Sequence, residues 1–153
     1  TISTVGLVPM IQRFASEKRQ VNLAISLHAA NDTLRSSLLP INKRFPLVEL
    51  MQACCEYAAT TGRRLTFEWA LIEGVNDRVE DARELAKLVH GLLCHVNIIQ
   101  LNPTHKYSGK ATNRQAAELF KQTLENAGIP CTIRLRRGID IQAGCGQLAS
   151  NQV

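Results

Sequence analysis

Short apolar runs alternate with segments of helical period along this chain, and glycine or proline punctuates the joins; no other feature restricts its fold as much. Residues 21–27 read as a short buried strand. Asn31 or Asp32 caps a short helix that runs to about Leu38, and Pro40 stops it. Pro46 and Leu47 open a second helix, which Gly62 ends after Thr61. Residues 64–71 are the next strand. The loop 74–77 leads into a helix over about 79–91, with an apolar stripe of Leu85, Leu88, Val89 and Leu92. Residues 95–101 are a third strand, broken by Asn102-Pro103-Thr104. A loop with Lys106, Tyr107, Gly109 and Lys110 follows. A helix over about 113–127 then closes at Gly128, and 130–136 read as a last strand before a mixed tail.

Strand–helix alternation of this kind predicts an α/β fold with a parallel sheet, right-handed crossovers and outer helices. Chemistry in such sheets gathers at the carboxyl ends of the strands. Those ends carry Ser26-Leu27-His28, Glu73 with Asn76-Asp77, and Asn102-Pro103-Thr104. Polar residues also sit at strand ends that bind nothing, so position alone does not define a site. Glu73 to Asp77 has no His or Cys partner and reads as a turn and cap rather than an acid–base pair. The opening residues Thr1 to Gly6 read as the end of a strand and a turn into a helix. The complete strand–helix units fall short of a closed barrel, and the expectation is a fragment whose amino-terminal strands are absent.

The chain has 153 residues, 45% of them apolar and 20% charged, which is enough for one domain with its own core. No apolar run reaches the roughly 18–20 residues of a membrane helix, and no secretion signal opens the chain; a cytoplasmic protein with no membrane partner is expected. The net charge of +5 is compatible with a polyanionic partner. None of the cysteines Cys54, Cys55, Cys94, Cys131 and Cys145 has the short spacing of a zinc site. The first four fall in apolar helix or strand patterns and are expected to behave as small buried hydrophobes. Cys145 differs, because Gly144 and Gly146 flank it and leave its sulfur unshielded.

Several strings occur in a fixed order. They are Ser3-Thr4-Val5-Gly6, Ser26-Leu27-His28-Ala29, Leu39-Pro40-Ile41-Asn42-Lys43, Gly74-Val75-Asn76-Asp77, Val96-Asn97-Ile98-Ile99 with Asn102-Pro103, Arg137-Gly138-Ile139-Asp140-Ile141, and Gly144-Cys145-Gly146-Gln147-Leu148. Together they resemble the RlmN/Cfr family of radical S-adenosylmethionine (SAM) RNA methyltransferases. The resemblance implies the carboxy-terminal part of a partial (β/α) radical-SAM barrel spanning residues 1–153. The implied cofactors are SAM and a 4Fe–4S cluster. It also implies methylation of adenine in 23S rRNA, at carbon 2 in the RlmN branch and carbon 8 in the Cfr branch, with tRNA as a further substrate of some members. A flavodoxin-like electron-donor protein is a further implied partner. Carbon 2 of adenine is not a nucleophile, so it cannot attack a methyl sulfonium directly, and a radical route with a cofactor is chemically sensible.

Carried over residue by residue, the resemblance makes Cys145 the methyl-carrying cysteine. A thiolate is a good nucleophile toward a sulfonium methyl, and Arg134, Arg136 and Arg137 upstream would lower its pKa or hold phosphate. Ser3, Ser26, Leu27, His28 and Asn102 match SAM-contacting positions, Leu27 through backbone or packing only. Arg134, Arg136, Arg137, Lys106 and Lys110 are candidate RNA contacts; aromatic residues are few, and Tyr107, the one to test for base stacking, is expected to pack within its loop.

The chain departs from the family in lacking the Cys-x3-Cys-x2-Cys cluster motif and the Gly-Glu-Pro stretch that binds the SAM amino group. No metal ligands are therefore expected within it. The wording of the strands resembles RlmN more than Cfr, which favours carbon 2. A non-catalytic RNA-binding remnant is the competing reading from another class.

Overall fold

The computed structural model describes residues 1–17, 19–100 and 109–134. Five strands form one parallel sheet in sequential order: β1 Ile2–Thr4, β2 Leu23–Ser26, β3 Leu65–Leu71, β4 Cys94–Gln100 and β5 Cys131–Arg134. Helices α1 Val8–Ser16, α2 Asp32–Leu38, α3 Leu47–Thr61, α4 Val79–Leu88 and α5 Arg114–Asn126 supply the crossovers. Pro40–Lys43 adds a 3-10 turn after α2, where proline cannot continue the α-helix.

Period-two alternation along the strands decides where the core lies. Leu65, Phe67, Trp69 and Leu71 of β3 join Val96 and Ile98 of β4 and Leu23 and Ile25 of β2 in one buried cluster. Helices α1, α3, α4 and α5 press Ile11, Leu50, Tyr57, Leu85 and Phe120 into that same cluster. All four long helices therefore cover one face of the sheet. The alternate residues point the other way and are mostly polar: Ser26, Thr66, Glu68, His95 and Asn97 are half-buried, Ser3, Thr132 and Arg134 are exposed, and Ala24, Ala70 and Ile99 are the apolar members of that face. None of the described helices contributes to that face.

Local signals in the sequence set the helix ends. Asn31 Oδ1 accepts from the Leu34 N–H at 2.9 Å, and Asn113 Oδ1 accepts from the Ala116 N–H at 2.9 Å. Gly62 closes α3 with φ +65°, a left-handed cap. Some boundaries differ from expectation. The helix expected to reach residue 91 stops at Leu88, because the chain tightens into a turn with Leu92 N–H donating to Val89 O. The strand expected over 21–27 is only Leu23–Ser26, since Val21 O is occupied by the Tyr57 hydroxyl at 3.0 Å. Asp77 does not cap α4; Asp81 does, accepting from the Arg78 backbone N–H at 3.0 Å.

Candidate binding site at the strand ends

The carboxyl ends of β1, β2 and β3 are locked together by two buried side chains. Arg35, on α2, is fully buried and spends its guanidinium on main-chain carbonyls. Its Nη2 donates to Val5 O at 2.8 Å and Ser26 O at 3.1 Å, its Nε to Leu27 O at 3.2 Å, and its Nη1 to Asn42 Oδ1 at 2.8 Å. Gly6 makes room for it. At φ +104° a Cβ on Gly6 would stand 3.2 Å from Arg35 Nη2 and from Leu50 Cδ2. Asn76 does the same for the next pair of strands. Its Nδ2 donates to His28 O and Ala70 O, both at 2.8 Å, and its Oδ1 accepts from Ile72 N–H at 2.8 Å. Three strand ends are thus fixed relative to one another without any ligand.

His28 follows β2 in the left-handed region, φ +59°, an unusual backbone for a non-glycine residue. Its Nδ1 accepts from the Ala70 N–H at 3.0 Å. Burial, with the positive charge of Arg35 nearby, pushes its pKa down to about 4. The imidazole is therefore neutral at physiological pH, and the proton that Nδ1 cannot hold sits on Nε2 as a donor.

Register then locates the remaining expected residues. Ser26 aligns with Glu68, Asn97 and Thr132 in one row across the open face. The next row toward the carboxyl ends holds Ala70, Ile99 and Arg134. Ser3 aligns with Ala24, one row further in than Ser26, and is exposed. Leu27 is fully buried, as expected for a packing role. Lys110 is exposed at the carboxyl end of β3, where its carbonyl accepts from the Glu73 N–H at 2.9 Å. The structure therefore gathers Ser26, His28, Arg134 and Lys110 at one end of the sheet. Asn102, Lys106, Tyr107, Arg136, Arg137 and Cys145 lie outside the described residues.

Three residues at this site carried no sequence expectation as site groups. Arg35 and Asn76 are the clamps just described, and Glu68 lines the open face. Glu68 Oε1 accepts from Asn97 Nδ2 at 3.0 Å, while its Oε2 is buried with no hydrogen-bond partner among the described residues. Period-two alternation was the one available signal for Glu68, since it falls in phase with Ser26.

The cysteines divide unevenly. Cys54 and Cys94 are buried, and burial pushes their thiols up to about 12 and about 11. Cys131 is half-buried, and its thiol is raised to about 11 by the same cause. Cys55, expected among the buried hydrophobes, is exposed instead, on the outer side of α3. Among the described residues no group of three or more His, Cys, Asp or Glu side chains could hold a metal ion, so the described residues do not fit an iron–sulfur cluster. No described helix is long and apolar enough to cross a membrane.

No protein-family model matches the chain. Over 148 residues, 97% of its length, it is 55% identical to the probable dual-specificity RNA methyltransferase RlmN of Thermoanaerobacter sp. (strain X514), covering 43% of that protein. It is 49% identical, again over 148 residues, to the dual-specificity RNA methyltransferase RlmN 1 of Myxococcus xanthus (strain DK1622), covering 41% of it. Among solved structures, a radical SAM methyltransferase from Sphaerobacter thermophilus superposes with a TM-score of 0.92 at 55% identity, over 95% of this chain and 42% of that one. A domain of a pyruvate-formate lyase-activating enzyme from Bacteroides vulgatus ATCC 8482, 16% identical with a TM-score of 0.58, shares the fold alone. The chain spans about two-fifths of the length of the curated relatives it matches.

Proposed function

We propose a function from one premise: over nearly its whole length this chain is homologous to part of the RlmN radical SAM RNA methyltransferases. It acts as the carboxy-terminal part of an enzyme that methylates RNA, with carbon 2 of an adenine in 23S rRNA as the target and tRNA as a second substrate. The observation that carries this reading is the identity of 55% over 97% of the chain, in a fold whose polar strand ends bear Ser26, Leu27 and His28.

The described residues fit a nucleoside-bearing sulfonium such as SAM. Ser26 offers a short hydroxyl, the neutral His28 keeps an Nε2–H donor, and one Glu68 carboxylate oxygen has no hydrogen-bond partner among the described residues. SAM supplies the methyl group when bound. Ser26, His28 and Asn102 hold it, with Ser3 further along the same face. Cys145 carries the methyl group on its sulfur between donor and base. Arg134, Arg136, Arg137, Lys106 and Lys110 bear the phosphates of the RNA, and Arg134 and Lys110 are supported in this by their exposure at the rim. The ligands of the 4Fe–4S cluster are not among the described residues.

The test is methylation of 23S rRNA by the whole enzyme, with nucleosides resolved by mass spectrometry. The expected product is 2-methyladenosine. Cys145→Ala should abolish its formation while leaving SAM affinity within about twofold. Retained turnover in that variant would remove the methyl-carrier role. 8-Methyladenosine would move the enzyme to the Cfr branch, and RNA binding without any methylated product would favour a non-catalytic remnant.

A further inference from the structure

The string Leu39-Pro40-Ile41-Asn42-Lys43 has no part in the function proposed above, yet its asparagine occupies a definite place in the fold. Proline turns the chain out of α2 into the 3-10 turn Pro40–Lys43, and that turn carries Asn42 back into the interior, where it is buried. Asn42 Nδ2 donates to Asp32 Oδ1 at 2.8 Å and to Ser36 Oγ at 3.0 Å. The same Asp32 oxygen accepts from the Leu47 N–H at 2.8 Å, at the start of α3. An ionised carboxylate only accepts hydrogen bonds, so the Asn42 amine must face Asp32 and its carbonyl must face Arg35.

Arg35 depends on that orientation. Its guanidinium is buried, and among the described residues no carboxylate pairs with it directly. Nη2 and Nε go to the carbonyls of Val5, Ser26 and Leu27, and the remaining nitrogen, Nη1, goes to Asn42 Oδ1 at 2.8 Å. Asp32, of opposite charge, stands on the far side of the same amide. Without Asn42, Nη1 is a buried donor with no acceptor, and the Asp32 carboxylate is the strong acceptor close at hand. A guanidinium that turns toward it takes its other donors off the strand ends. Bracing the turn against α2 uses the Asn42 amine alone; the carbonyl serves Arg35. The main-chain oxygens so held belong to the two segments that bear Ser3 and Ser26 to His28.

We propose that Asn42 is a positioning residue for the cofactor: it holds Arg35 off Asp32 and so keeps the chain at Val5, Ser26 and Leu27 in the arrangement that lets Ser3, Ser26 and His28 bind SAM together. This rests on the function proposed above.

The experiment is calorimetric titration of S-adenosyl-L-homocysteine into the whole, cluster-loaded enzyme and its Asn42→Ala, Arg35→Lys and doubly substituted forms. Each is titrated well below the melting midpoint that thermal unfolding gives it. A side chain that only stabilises the fold lowers that midpoint and leaves the Kd of the folded protein unchanged. Asn42→Ala should instead weaken binding roughly fivefold and Arg35→Lys roughly tenfold, through lost preorganisation of the groups that meet the ligand. Because Asn42 acts through Arg35, the double variant should bind within about twofold of Arg35→Lys alone. Asn42→Ser, too short to reach Arg35, replaces the alanine variant if melting finds that one unfolded. Lowered midpoints with unchanged affinity overturn the proposal, as do losses that multiply in the double variant. A loss confined to RNA affinity also overturns it and assigns the turn to its exposed neighbours Lys43 and Arg44. A wild-type enzyme that fails to bind S-adenosyl-L-homocysteine at all counts instead against the function on which the proposal rests.

Discussion

His28 shows how one side chain can serve both the fold and the site. Its Nδ1 is used by the Ala70 N–H, its carbonyl by Asn76, and its backbone sits at φ +59°. Because its pKa in the folded chain is near 4, below the ordinary 6.5, the unfolded chain binds the proton first as pH falls. The associated stability is fully present above about pH 6.5 and is lost as pH falls toward 4. Urea unfolding between pH 7 and pH 5 should therefore give a falling free energy whose slope is smaller in His28→Gln. An identical slope in the two proteins would mean that His28 is not held neutral. The motif around this residue was legible in the sequence. Its left-handed backbone was not, because histidine carries no local preference strong enough to announce it; the bonds to Ala70 and Asn76, 42 and 48 residues away, impose it. Cys55 and Cys54 teach the same lesson, since adjacent cysteines in one helix face solvent and core respectively.

At the scale of elements, the strand ends depend on clamps that come from outside the strands. Arg35 reaches three carbonyls from α2, and Asn76 reaches two from the turn after β3. Removing either leaves buried carbonyls without donors, at a cost of about 1–3 kcal/mol for each that water does not reach. Asn76→Ala should lower the unfolding free energy by about 2–4 kcal/mol in urea titration, and Arg35→Met by a similar amount. A change below about 0.5 kcal/mol in both would show the strand ends to be held by other contacts. Helix starts and stops at Asn31, Asn113 and Gly62 were readable, because caps act over three or four residues. The end of α4 was not. Its apolar stripe continues through Val89 and Leu92, yet a turn rather than another turn of helix buries Val89 and half-buries Leu92.

At the scale of the molecule, the four long helices cover one face of the sheet, and none of the described helices covers the face that bears the site. The cysteines of this chain lack the three-residue spacing that would cage an iron–sulfur cluster. After anaerobic reconstitution, this chain purified alone should carry less than about 0.2 iron atoms per molecule on iron and sulfide analysis, a threshold set by the need for cysteine ligands. A stoichiometric cluster would overturn that expectation. The alternation of strands and helices, the parallel sheet, the helix caps and the ordered motifs were all determined by the sequence itself, since each depends on periodicity or on neighbours a few residues apart. Which charged groups are buried, which cysteine faces solvent, and where Glu68 stands relative to Ser26 were decided only by tertiary structure. Those outcomes rest on strand register and on contacts between segments distant in the chain, and an isolated stretch of sequence holds neither.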